Sequence, residues 1–492
     1  MVRILVVFIS KPQWEAGWPF LGFDNNQFKA KIMEKLQAMF KDVEFIDEGV
    51  ITRYQSEELN EIKEEAENSD GLIIFTIGHY GDPGIVDAGV ELIQLNLPTI
   101  LANLVYYGDH TFTKIFDRIK EKGYRVFPVS TSDFEDIAHA VDIMRRILFL
   151  KGKKIIVYTL DGEVMPDFQK IIDLASHAIE RLRIKDVVES HIKSIAESTG
   201  FYIDLAGVDQ AHSWRRDEEL YQRNLREIFG LRYEKRDPDE ILRYYDSVSI
   251  DEAKEIADKW MRNAEKTRFF VEPIVDSARL YLAMKKLMED TGADMIAVDC
   301  GTLMLAGKLP AWPCLANFQL WNEGLNSTPE SDLDSGVTLM LVRYLLDRPG
   351  YVSNQSIDLS HNRVTYMHCC SPSKLYGSDK PSLKYEIVGH GESHGLGPCP
   401  FVKYPKGEDI TTVKISVLKR KISIRTGKII DVIWDENGCR NKVLVATNAE
   451  KILENYDWDT FGWHRVSVLG DWRDEIFAAA KLLGLEVVEE DK

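Results

Sequence analysis

No stretch of this chain approaches the about 18 consecutive apolar residues that a membrane-spanning helix needs. The hydrophobic runs Ile4 to Ile9, Leu72 to Ile77 and Ile155 to Val157 are short and bounded by polar residues, so the sequence reads as soluble, with no membrane partner. Basic charge is also in short supply: 61 Lys plus Arg against 79 Asp plus Glu leave a net charge of -18. Repulsion from phosphate backbones then argues against nucleic acid as a partner. There are six cysteines in 492 residues (Cys300, Cys314, Cys369, Cys370, Cys399 and Cys439) and no CxxC pair. Neither a zinc knuckle nor a redox dithiol is signalled, and such sparse thiols suit a reducing cytoplasm, the expected location.

Nucleotide signatures are missing too. No GxxxxGK[ST] occurs, and the glycine-rich turn Gly78 to Gly84 lacks GxGxxG spacing. That turn follows a strand pattern and precedes a helix, where open α/β sheets bind ligands, but glycines serve plain tight turns by default. The first residues, MVRILVVFIS, run into Lys11 and Trp14 with no small-residue cleavage site and read as a strand.

What remains is ordinary globular composition, 45% hydrophobic, 28% charged and 10% aromatic, in a length that suggests about three domains. From 1 to 150, strand-like runs (Arg3 to Ser10, Val43 to Asp47, Gly71 to Ile77, Pro98 to Leu104, Arg125 to Ser130) alternate with amphipathic helical stretches. That alternation predicts a parallel sheet with right-handed crossovers. A second, helix-heavy α/β domain follows from 151 to 350. From 351 to 492 short period-two segments (Arg363 to His368, Leu383 to Val388, Thr411 to Val417, Lys428 to Trp434, Lys442 to Thr447) predict antiparallel strands. The expected architecture is α/β: two Rossmann-like domains, then a C-terminal antiparallel β-barrel-like domain.

Five of eleven histidines (His361, His368, His390, His394, His464) fall in the last segment. In Gly389 to Gly395, His390, Glu392 and His394 stand at period two, so on a strand they share one face and could bind a metal or a polyol, although solvated edges look the same. Farther back, Glu330 and Asp332 sit just ahead of a helix expected from about Ser335 to Leu346. N-terminal capping accounts for Asp332 or Asp334 alone, but explains Glu330 less well.

The segments PESDLDSGVTLMLVRYLLDRPGYVSN (329–354), VTYMHC (364–369), GCR (438–440) and GWHRVSVLGDW (462–472) resemble the L-fucose isomerase family and, more distantly, L-arabinose isomerase. The resemblance is loose over the whole architecture and specific from about residue 310 onward. It implies a divalent cation, usually manganese with cobalt or magnesium as alternatives, held by Glu330 and His464, with His368 matching the histidine of the arabinose branch. Counted without gaps, the family's second acid falls on Asn354, an amide that can ligate a hard cation but is not basic enough to take a proton. Asp358, four residues on, is then an alternative carboxylate.

The implied chemistry moves a carbonyl between C1 and C2 of a sugar through an enediol, with Glu330 as ligand and base and Asp358 or Asp332 as the opposed acid. His390, Glu392 and Trp463 are the candidate substrate contacts. The resemblance further implies a homo-oligomer, trimer or hexamer, in which His79 or His110 could complete a neighbour's site. A free or modified sugar is the expected substrate, since no phosphate-binding loop is evident. An epimerase or lyase sharing the chemistry, or an inactive sugar-binding protein motivated by Asn354, are the rival readings.

Overall fold

The computed structural model describes residues 1–13, 18–54, 57–77, 83–160, 163–164, 203–204, 210–391, 397–435 and 437–492. The chain forms two compact units: Met1–Lys151 with Asp474–Val487, and Gly152–Arg473 with Val488–Lys492.

In the first unit five parallel strands stand in the order Val43–Ile51, Val2–Ile9, Gly71–Thr76, Thr99–Leu104, Val126–Thr131. Strand Gly71–Thr76 is buried at every residue, which is why its sequence is a continuous apolar run rather than an alternation. Helices such as Asn25–Met39 supply the crossovers, and Phe134–Leu148 follows the last strand. Each of these two begins at an aspartate, Asp24 or Asp133, whose side chain accepts from the first backbone amides.

The second unit holds a four-stranded parallel sheet in the order Asn326–Pro329, Met295–Val298, Lys154–Tyr158, Arg232–Arg236. It also holds a closed antiparallel barrel of six strands. Around the barrel run Asp409–Ser416, Arg465–Leu469, Tyr351–Asp358, Arg363–His368, Asn441–Ala446 and Lys421–Ile433, which pairs back with Asp409–Ser416. Closure leaves none of these six strands as an open edge. The expected division at residue 350 does not separate two compact bodies. Helix Leu333–Leu346 is buried nearly throughout, lying between the parallel sheet and the barrel strands Asp409–Ser416 and Arg465–Leu469. No helix among the described residues is long and apolar enough to cross a membrane.

Two local expectations need correction. The strand anticipated through His390 ends at Gly389. A Cβ at Gly391 would lie 1.9 Å from the carbonyl oxygen of Gly438, so the chain passes backbone against backbone there, and His390 instead stacks on Trp312 with ring centroids 4.8 Å apart. Glu392 and His394 lie outside the described residues, as does His79. The segment expected as Lys428 to Trp434 is the second half of a 13-residue strand, Lys421–Ile433, with an irregularity between Ile429 and Asp431 that interrupts its alternation.

Candidate metal centre

Strand Asn326–Pro329 is wholly buried, and its parallel neighbours place its end at the carboxyl edge of the sheet. Glu330 leaves that edge, where open α/β sheets hold their ligands. Both Glu330 and Ser331 adopt the left-handed backbone region, with φ of +57° and +49°. For residues other than glycine this costs about 1–3 kcal/mol each, and it persists only where surrounding structure enforces it.

Helix Leu333–Leu346 starts directly afterwards. Asp332 caps it, accepting from the Ser335 amide at 2.9 Å and the Ser335 hydroxyl at 2.6 Å. Because this helix packs on the barrel, its first turn meets two barrel side chains. Lys414 Nζ donates to Asp332 Oδ2 at 2.6 Å and to Ser335 Oγ at 2.6 Å, and His464 Nδ1 lies 2.9 Å from Asp332 Oδ2. His464 itself stands between Gly462, at φ +64°, and strand Arg465–Leu469.

These contacts turn the other nitrogen of His464 toward Glu330, with Nε2 3.4 Å from Oε2. His368, at the end of strand Arg363–His368, presents its own Nε2 to Glu330 Oε1, also at 3.4 Å. The two imidazole rings are 5.6 Å apart between centroids. One ligand atom from each of Glu330, His368 and His464 lies within 4.8 Å of the others, a spacing that could hold a metal ion. Both histidines are buried, while the Glu330 side chain keeps 31% exposure, so the group has a protein-lined rear and an accessible carboxylate.

The electrostatics follow from this arrangement. Burial pushes the Glu330 carboxyl up, but the neighbouring His464 and His368 outweigh it and bring its pKa down to about 2. For Asp332 burial is again the largest influence, yet Lys414 and His464 hold its carboxyl well below the usual range. Burial pulls the His368 imidazole down, and the Cys370 and Glu330 side chains more than reverse that, leaving it well above its ordinary value. Asp334 goes the other way: burial and the Asp332 charge raise it to about 6 despite Lys414, the Val417 amide and Tyr221.

Of the residues singled out in the sequence, the structure brings together Glu330, His368 and His464, with Asp332 behind His464. Asp332 is spoken for by Lys414, Ser335 and His464, so it does not stand as an acid opposed to Glu330. Asp358 is not brought to the group either. It caps the short turn Leu359–His361 and is tied to Ser360 at 2.6 Å, His361 at 2.9 Å and Arg363 at 2.8 Å, all local partners at the far end of its strand. Asn354 is buried with Nδ2 3.7 Å from Cys439 Sγ, and its Oδ1 has no hydrogen-bond partner among the described residues. It pairs across the ladder with Met367, one position short of His368, so the pleat turns the two side chains to opposite faces there.

Trp463 is 42% exposed, but its indole N–H already donates to the Gln355 carbonyl at 2.7 Å. His110 lies in the first turn of helix Asp109–Ile119 of the first unit. All six cysteines are buried, and none forms a disulfide. Sequence reasoning missed Lys414. The available signal was a lysine in the run Thr411 to Val417, which alternates as a buried strand and therefore demands a partner for that charge.

No family model matches the chain. It is 23% identical over 224 residues to the sulfoquinovose isomerase of Priestia aryabhattai, a match covering 44% of this chain and 48% of that protein. The sulfoquinovose isomerase of Priestia megaterium (strain ATCC 12872 / QMB1551) matches with the same identity and coverage. The chain thus spans about half the length of the relatives it matches, and those relatives are sugar isomerases.

Proposed function

We propose that this protein is a metal-dependent aldose-ketose isomerase acting on a free or modified sugar through an enediol. The observation that carries the reading is the Glu330, His368, His464 group, converging within 4.8 Å and backed by the Asp332 carboxylate on His464 Nδ1. One carboxylate oxygen and two imidazole nitrogens suit manganese, cobalt or magnesium better than a thiolate site would, and a carboxylate on the remote histidine nitrogen is the usual way of orienting such a ligand. When bound, the cation would polarise the neighbouring carbonyl and hydroxyl oxygens of an α-hydroxy carbonyl substrate, which makes the carbon-bound proton removable.

Protein groups supply the rest. Glu330, ionised at neutral pH and partly exposed, accepts the proton from the carbon next to the carbonyl and returns it to the adjacent carbon. Asp332 fixes the ring of His464 and stays ionised throughout. His390, Glu392 and Trp463 are proposed to contact the sugar, Trp463 through the face of its exposed ring, since its N–H is engaged. A cytoplasmic trimer or hexamer remains part of the proposal.

The sugar isomerase relatives support this reaction class, and their substrate recommends a sulfonated hexose for any substrate panel beside pentoses, hexoses and deoxy sugars. The test is exchange of the sugar C2 proton in heavy water with added manganese. Exchange on at least one sugar is expected, and a flat result across the panel would refute the proposal. A second reading, an inactive sugar binder, draws on the amide at Asn354; Asn354→Asp creating turnover where the parent shows only binding would favour it.

A further inference from the structure

The left-handed pair Glu330–Ser331 carries the acid of the proposed centre, and the constraint on it comes from an unexpected place. Ser331 is fully buried, and each of its polar groups is tied to a separate segment. Its amide donates to the carbonyl of Val298 at 3.2 Å and its hydroxyl to the carbonyl of Tyr158 at 3.2 Å, the last residues of the adjacent parallel strand and of the one beyond it. Its carbonyl accepts from the indole N–H of Trp214 at 3.0 Å.

Trp214 belongs to the 3-10 segment Gln210–Asp217, more than a hundred residues away in sequence, and is itself fully buried. The guanidinium of Arg215 and the ammonium of Lys235 lie 5.1 and 5.3 Å from its ring, and Tyr233 meets it edge-on at 5.6 Å. The donor is therefore held rigidly before it touches Ser331.

We infer that Trp214, acting through Ser331, is a positioning residue that locks the Glu330–Ser331 pair in the left-handed region and thereby aims the Glu330 carboxylate at His368 and His464. The bond to Val298 holds the Glu330–Ser331 peptide, and the bond from the distant indole holds the carbonyl of the next peptide, Ser331–Asp332, so both sides of Ser331 are fixed in the left-handed turn that carries Glu330. This rests on the metal-centre reading for its consequence, although the geometry stands without it.

The test is a double-mutant cycle on manganese affinity, measured by calorimetry on the full chain. Trp214→Phe keeps an aromatic ring but removes the N–H, and is expected to weaken manganese binding by about 10-fold or more, the range for outer partners of metal ligands. Glycine enters the left-handed region without steric penalty. In a Ser331→Gly background the same Trp214→Phe change should therefore cost less than about threefold. A merely structural tryptophan would lose equally in both backgrounds, and that equality, or no loss in either, overturns the inference.

Crystals of metal-free Trp214→Phe give a readout that needs no cation. A move of Glu330 or Ser331 to negative φ upholds the lock, and an unchanged pair overturns it. Should the parent bind no manganese, the metal reading falls while this second readout still decides the inference.

Discussion

Replacing Asp332 by asparagine tests the group behind His464. The carboxylate neutralises Lys414, and both side chains are almost fully enclosed, with exposures of 2% and 4%. Removing one partner of such a pair leaves a buried charge uncompensated, which costs about 3–5 kcal/mol. The asparagine oxygen can still accept one bond, so Asp332→Asn should lose about 3 kcal/mol in denaturant unfolding. Adding Lys414→Met, which removes the stranded charge, should restore most of it. The pH dependence has a definite sign. The folded-state pKa of Asp332 lies below its unfolded value of about 3.9, so its stabilisation is complete above about pH 4 and is lost as the pH falls further. The gap between parent and Asp332→Asn should therefore narrow at acid pH. A single variant costing less than about 1 kcal/mol, or a double variant no more stable than the single, would refute the reasoning.

Three further outcomes are expected. The raised pKa of His368 means that manganese must displace a proton at neutral pH, so titrations in buffers of different ionisation enthalpy should show about one proton released per ion and an affinity that climbs with pH. Asp358→Ala should leave metal content unchanged and cost under about 1 kcal/mol, since its partners are local and largely exposed; loss of metal would restore Asp358 to the site. In the first unit, a Cβ at Gly108 would sit 2.2 Å from the Thr76 carbonyl oxygen. Gly108→Ala should therefore destabilise by about 1–3 kcal/mol in thermal or denaturant unfolding.

Much of the fold was legible because burial leaves a pattern. Runs such as Gly71–Thr76 and Lys154–Tyr158 are apolar on both faces, as central parallel strands are, and the barrel strand Arg363–His368 alternates. Pro398–Val402 escaped notice because Pro398 and Pro400 argue against a strand, yet this segment pairs with Tyr385–Gly389 in a small separate sheet. The site was legible as far as its motifs reach. Glu330, His368 and His464 stand in recognisable segments, and Asp332 could be read as a helix cap. What was hidden depends on contacts far apart in sequence: Lys414 lies 82 residues from Asp332, and Trp214 lies 117 from Ser331. Asp358 misled because proximity in sequence to Asn354 says nothing about reach along an extended strand, where four residues span about 13 Å.

The central claim is that Glu330, His368 and His464 hold the cation on which sugar isomerisation depends. The most direct measurement pairs metal analysis with C2 proton exchange for the parent, Glu330→Gln and His464→Ala. One manganese per chain and metal-dependent exchange in the parent, with both lost in the two variants, is the predicted result. Variants that keep a full complement of metal, or a parent that exchanges at the same rate after chelation, would contradict it.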